Sequence, residues 1–166
     1  LGNLLITDVA GSTNCTVITN TNLELNGSLT TSNATSIFNL NNKDLIIAGN
    51  IINAAGSITF TNTPNSTITF NGSAAQIYSP NQNAAIPTLT LNNVVMNHTG
   101  SGVTIATTNT PNMILSTSGT LTLTQGKIIT PNAQEVTLTN TALNAVTVGN
   151  TSSYVEGNLR RYLAAS

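Results

Sequence analysis

Asp8, Glu24, Asp44, Glu135 and Glu156 are the carboxylates of this sequence, and His98, in the stretch Met96-Asn97-His98-Thr99-Gly100, is its one histidine. Polysaccharide-cleaving and cation-binding sites need carboxylates gathered in one place, to share a metal ion or to act as an acid and base pair. Glu24 and Asp44 are 20 residues apart, and Glu135 and Glu156 are 21 apart. A chain coiling at that period would stack each pair, and stacked like charges raise a pKa or bind a cation. The competing expectation, and the stronger one, is a set of isolated solvated charges that keep a long β surface soluble, with Lys43 offsetting Asp44.

His98 has no ligand or catalytic partner beside it in sequence, so it is expected as a loop residue. Cys15 is the only cysteine, which excludes an internal disulfide. Without a neighbouring histidine or cation to stabilise a thiolate, it reads as a small buried apolar residue. Gly100-Ser101-Gly102-Val103 lacks phosphate-loop spacing and a following helix, and reads as a turn. Tyr78, Tyr154 and Tyr162 could stack on sugar rings if exposed, but their scatter favours packing at coil edges or at the terminal junction. No catalytic, cofactor-binding or metal site emerges, and the chain is not expected to be an enzyme.

Charged residues make up 5% of the 166 residues, against roughly 25% in an ordinary soluble domain. Solubility therefore rests on Asn, Thr and Ser, which hydrogen-bond to water and, at turns, to their own backbone. A net charge of −1 supplies no field to attract a polyanion, so no nucleic-acid partner is expected. No apolar run approaches the ~18 residues of a membrane-spanning helix. The sequence has neither an initiator Met nor a charged-then-apolar leader, so a mature or excised piece of a longer chain is expected. Seven N-x-[ST] sequons, at Asn14, Asn26, Asn33, Asn65, Asn71, Asn97 and Asn150, are what random order yields in so Asn-rich a chain.

Short alternating segments run from end to end, among them Thr-Val-Ile-Thr from Thr16, Leu-Glu-Leu from Leu23, Ser-Ile-Thr-Phe-Thr from Ser57 and Thr-Leu-Thr-Leu-Thr from Thr120. Such alternation puts successive side chains on opposite faces of a strand. Asn-Gly, Asn-Asn, Pro-Asn and Ser-Gly turn formers separate the segments, and no stretch carries a helical period. Leu23, Leu45, Ile68 and Leu89 step by 22, 23 and 21 residues, while Phe38, Ile58, Ile77, Val95 and Leu115 step by 20, 19, 18 and 20. Two interleaved ladders near twenty predict an all-β, right-handed parallel β-helix, with an antiparallel β-sandwich or jelly roll as the alternative. The solenoid is expected over 1–152. A terminal or junction segment leading to a further domain or subunit is expected over 153–166, where Tyr154, Glu156, Arg160, Arg161 and Tyr162 change the composition.

The stretch GTLTLTQGKIITPNAQEVTLTNTALNAVTVGNTSSYVEGNLRRYL, from Gly119 to Leu163, resembles a module of very large secreted surface proteins of Bacteroidota. There, strands of the form LTLT-x-G-x-I-x-T precede a SYV-x-G-x-L-x-R segment, here SYVEGNLRRYL from Ser153 to Leu163. The resemblance implies an extracellular, cell-surface location, type IX secretion, and a role among adhesins and gliding-related filaments. The C-terminal export domain of that family is not in this sequence. Upstream of Gly119 only the Asn/Thr-rich β-helix style is shared.

The expected function is a non-enzymatic structural or adhesive module of a secreted bacterial surface protein, a stiff stalk or filament-forming unit. Expected partners are a second copy end to end, neighbouring domains of the same long chain, or a surface glycan or host or substratum receptor. Two alternatives are a β-helix that binds or degrades polysaccharide and an ice-binding solenoid. The second draws on T-x-T pairs at 59/61, 67/69, 88/90, 122/124 and 137/139. At the period above, Asn22 and Asp44 precede Thr67 and Thr88 in one column, and Glu24 and Ile46 precede Thr69 and Thr90 in the next. Charge and a large apolar group thus interrupt the array.

Overall fold

Most segments are too short to bury anything alone, so each must find its hydrogen bonds and its apolar contacts on a neighbouring coil. The computed structural model describes residues 1–7, 15–55, 57–59, 66–80, 89–108, 112–147 and 149–164, with Ser57 and Thr59 described by backbone only. Asp8, the sequons at Asn14 and Asn65, and Thr61 and Thr88 lie outside the described residues.

The chain coils with three strands to a turn. The first coil holds β1 (Leu4–Ile6), β2 (Thr16–Ile18) and β3 (Leu23–Leu25), and the second holds β4 (Leu29–Thr31), β5 (Ile37–Asn39) and β6 (Leu45–Ile47). Then come β7 (Ile51–Asn53), β8 (Ser57–Thr59) and β9 (Thr67–Phe70), followed by β10 (Gln76–Ser79), β11 (Thr90–Leu91) and β12 (Asn93–Asn97). After β13 (Val103–Ile105) and β14 (Met113–Leu115), the strands fuse into β15 (Leu121–Leu138) and β16 (Ser153–Arg161). The result is a parallel β-solenoid of about five turns, without a helix among the described residues.

Three faces follow from the pairing. The first runs β1, β4, β7, β10, β13, the middle of β15 and the start of β16. The second runs β2, β5, β8 and, as a separate stretch, β11, β14, the end of β15 and the end of β16. The third runs β3, β6, β9, β12 and the start of β15. All of these ladders are parallel, which removes the antiparallel sandwich. The terminal segment expected from 153 supplies, over Ser153–Arg161, a further rung of the first two faces.

The coils are longer than the expected twenty. Leu23, Leu45, Ile68, Val94, Leu121 and Val146 stand in one column, stepping by 22, 23, 26, 27 and 25 residues. Leu89 therefore does not belong to that column, and Val94 takes its place. In the second expected ladder only Phe38 and Ile58 are register partners. Ile77 is on the first face, Val95 on the third and Leu115 on the second. The cause is loop length: dense Leu/Ile alternation offers an equivalent anchor every two residues, so a longer loop moves the true partner without disturbing the local pattern.

Inward side chains form one column of Leu, Ile, Val, Phe and Met, with Leu25, Leu45, Ile47, Phe70 and Met96 fully buried. Tyr78 joins it, edge-on to Phe70 at 6.3 Å between ring centroids. This corrects the coil-edge position expected for Tyr78.

Corners repeat as regularly as strands. Entering the first face, Asn3 Oδ1 accepts from Ser28 N at 2.7 Å, Ser28 Oγ from Asn50 N at 2.9 Å, and Asn50 Oδ1 from Ile77 N at 2.7 Å. Each side chain thus satisfies a main-chain N–H one coil on. Within β15, the chain turns its corners at Gly126 and Asn132, with φ of 85° and 55°.

Gly49 sits directly on the preceding corner: a Cβ there would lie 2.4 Å from the Gly27 carbonyl carbon, whereas one on Gly2 meets nothing within 4 Å. Gly49→Ala is expected to destabilise by about 1–3 kcal/mol, the usual range for overpacking, and Gly2→Ala by less than about 0.5 kcal/mol. Urea denaturation midpoints at constant slope check the pair.

Candidate functional site

The coil register decides which ionisable groups meet. Leu23 pairs with Leu45, so Asp44 stacks on Asn22 and Glu24 on Ile46. Asp44 is spent on its neighbours: Oδ2 accepts from Asn22 Nδ2 at 3.2 Å, Oδ1 accepts from Thr67 N at 2.8 Å, and its own N–H donates to Asn22 Oδ1 at 3.0 Å. The expected Glu24 and Asp44 stack is therefore replaced by an amide ladder.

Glu135 and Glu156 are likewise separated. Glu156 aligns with Ile129 on the first face and Glu135 with Asn158 on the second, because the register shifts between Thr130 and Glu135. Each carboxylate finds a cation one rung away. Lys127 Nζ is 2.9 Å from Glu156 Oε2, and Arg160 Nε is 3.2 Å from Glu135 Oε2. Thr137 Oγ1 donates to Glu135 Oε1 at 2.7 Å, and Asn112 Oδ1 accepts from the Glu135 N–H at 3.0 Å. Lys127 also lies 5.3 Å above the Tyr154 ring, its direct register partner.

Lys127, Tyr154 and Glu156 on one face, with Glu135 and Arg160 on the next, form the densest meeting of ionisable groups among the described residues. The lysine and glutamate side chains are 40% and 50% exposed, which limits the pair to a small contribution. Hydrogen bonding to Glu156, then to Tyr154, with the charges of both, raises the Lys127 pKa above its ordinary 10.5. Paired carboxylates of this kind are neutralised by neighbouring cations, which suits neither a shared proton nor a bound cation. No group of three or more His, Cys, Asp or Glu side chains converges among the described residues.

His98 lies, as expected, in a loop, between β12 and β13, but it is buried there. It is 1% exposed, its Nε2–H donates to Ala74 O at 2.9 Å, and its bare Nδ1 accepts from Gly100 N at 3.0 Å and Gly102 N at 3.2 Å. The two acceptor contacts fix that tautomer. The ring pins the corner that the Gly100 turn makes, as Gln76 pins the corner before it. Cys15 is half-buried against the core as a free thiol.

A second set of buried polar residues escaped the sequence reading. Thr31 Oγ1 donates to Asn53 Oδ1 at 2.6 Å, and Asn53 Nδ2 donates to Pro80 O at 3.0 Å, a ladder enclosed in the first face. Its signal was present, since Thr31 and Asn53 occupy the inward phase of strands whose other inward residues are Leu29 and Ile51. By contrast the Tyr78 hydroxyl is buried without a partner among the described residues, and burial drives its pKa far above 10.0.

The outward columns of the third face read Asn22, Asp44, Thr67, Asn93, Thr120 and Glu24, Ile46, Thr69, Val95, Thr122. Asn93 and Val95 stand where the sequence period expected Thr88 and Thr90. The threonine array is thus shorter than the T-x-T count suggested.

These contacts set the expected outcomes of substitution and of pH. Tyr78→Phe is expected to leave stability unchanged or raise it by about 1 kcal/mol, because it removes an unpaired buried hydroxyl. His98→Leu is expected to cost about 2–4 kcal/mol by stranding the Gly100 and Gly102 N–H groups; denaturant titration reads both. Burial holds the Tyr78 phenol neutral in the fold, so stability is insensitive to this group below pH ~10 and falls above it, as alkali ionises the unfolded chain first. For Lys127, whose folded pKa is raised, the pairing is present at neutral pH and lost as pH climbs past that raised value. Glu156→Gln should bring the Lys127 titration, followed by NMR, back toward 10.5. No protein-family model, curated protein or solved structure matches this chain.

Proposed function

We propose that this chain is a non-enzymatic structural module of a secreted bacterial surface protein, acting as a stiff stalk that spaces or presents neighbouring parts of a longer assembly. The observation that carries this reading is the corner ladder. Asn, Ser, Asp and Gln side chains that could engage a ligand are instead hydrogen-bonded to the adjacent coil, at Asn3, Ser28, Asn50, Asp44 and Gln76. A groove lined by free carboxylates is the feature a hydrolase or lyase would need, and the carboxylates at the Lys127 and Arg160 pairs are already neutralised. The resemblance of Gly119–Leu163 to secreted Bacteroidota surface modules supports the extracellular setting and the link to type IX secretion.

Mechanically, a parallel solenoid transmits force through ladders that bind each coil to the next about 4.8 Å along the axis. An adhesive role and filament formation by end-to-end stacking are extensions of the same reading.

A polysaccharide-binding reading has one foothold, the half-exposed Tyr154 ring beside Lys127 and Glu156. Retention of the chain on insoluble glycans that disappears with Tyr154→Ala would favour it.

For the stalk reading, an antibody raised against the chain should label intact, unpermeabilised source cells, and the purified chain should release no oligosaccharide from a polysaccharide panel. Labelling only after permeabilisation, or sustained oligosaccharide release, would overturn it.

A further inference from the structure

Two of the sequons, Asn26-Gly27-Ser28 and Asn71-Gly72-Ser73, have the same local sequence and occupy the same corner of the solenoid, two coils apart. An Asn-Gly pair is chemically labile, because glycine leaves its backbone nitrogen open to attack the neighbouring side-chain amide. The structure treats the two pairs differently. Asn26 is exposed, and neither its side chain nor the Gly27 N–H has a hydrogen-bond partner among the described residues. Gly72 is buried, its N–H donates to Gln76 Oε1 at 3.2 Å, and Gln76 is itself held through Nε2 to Ile47 O and Gly49 O at 3.2 and 2.5 Å.

We propose that Asn26 is a site of spontaneous deamidation, and that Gln76 withholds the same reaction from Asn71. In the reaction the Gly27 nitrogen loses its proton to solvent base and bonds to Asn26 Cγ, while the side-chain nitrogen leaves as ammonia. Water then opens the five-membered imide at either carbonyl, giving aspartate or isoaspartate, with no change of oxidation state. At Gly72, itself buried, the attacking nitrogen must first give up its bond to Gln76.

The modification would alter the first corner in two ways. It adds an exposed carboxylate two residues from the exposed Glu24. Its isoaspartyl form also lengthens the main chain by one methylene at the point where Gly49 packs on Gly27 and donates to Gly27 O at 3.1 Å. Deamidation at Asn26 therefore loosens the first coil and leaves the coils beyond Gly49 in register.

The test is to age the purified chain in mildly alkaline buffer and follow both peptides by mass spectrometry, with isoaspartate scored by enzymatic methyl transfer. Conversion at Asn26 is expected to outpace Asn71 by about tenfold, the rate equivalent of one retained hydrogen bond. In Gln76→Ala, Asn71 should accelerate by a similar ~tenfold while Asn26 keeps its rate. Because that variant also removes buried bonds, hydrogen exchange of the unaltered chain supplies an independent reading: the Gly72 amide should exchange slowly and the Gly27 amide fast. Equal deamidation at the two asparagines, equal exchange at the two glycines, or an Asn71 indifferent to the loss of Gln76 would overturn the proposal.

Discussion

Coil must lie on coil at the spacing of a parallel ladder, and nearly everything else in this molecule follows from that constraint. A strand of three residues such as β3 or β6 cannot persist alone, and its hydrogen bonds run to the coils before and after it. Parallel pairing in register then puts each side chain on its counterpart one turn away. Like meets like along a column: Leu23, Leu45 and Ile68 inside, Asn3, Ser28 and Asn50 at a corner. For apolar groups this is favourable burial, and for amides and hydroxyls it is a hydrogen-bonded ladder.

For charges, the same geometry is a penalty unless signs alternate along the column. Among the described residues no two like charges share a column, and the ion pairs run diagonally between rungs. Lys127 meets Glu156, and Glu135 meets Arg160, on successive rungs, while Asp44 lies between Asn22 and the Thr67 N–H. The very low charged fraction is thus a structural property before it is a functional one: a solenoid of this cross-section has little room for charges that do not find a complement one coil away. The consequence for chemistry is direct, since catalytic carboxylates need an environment that keeps them unpaired and close together.

The sequence disclosed the class of fold through alternation and turn residues, and it disclosed part of the register. Leu23, Leu45 and Ile68 were legible as a column because the loops between them differ by one residue. Beyond Phe70 the coil lengthens and Val94 replaces Leu89; Leu89, Thr90 and Leu91 alternate as well as a third-face strand would, but Thr90 and Leu91 form β11 on the second face, so local alternation alone does not choose between the two anchors. His98 and Gln76 were illegible for another reason. Their partners are backbone groups of corner residues, and a backbone carbonyl or N–H leaves no mark in a sequence. The charged pairs were misassigned because the register shift after Thr130 moves Glu135 off the face that holds Glu156.

Corners, more than strands, distinguish one coil from another here. The strands repeat Leu, Ile, Thr and Val in equivalent roles, whereas each corner solves its backbone bookkeeping with a different side chain: Asn3, Ser28 and Asn50 in the early coils, Gln76 and then His98 later. The fillers grow as the loops lengthen, from a short amide or hydroxyl to a ring that reaches three backbone groups. A larger corner exposes more main chain that must be satisfied internally. Local stability is therefore expected to vary around the coil, highest where a buried side chain closes the turn and lower at a corner like that of Asn26 and Gly27, where the Gly27 N–H has no hydrogen-bond partner among the described residues.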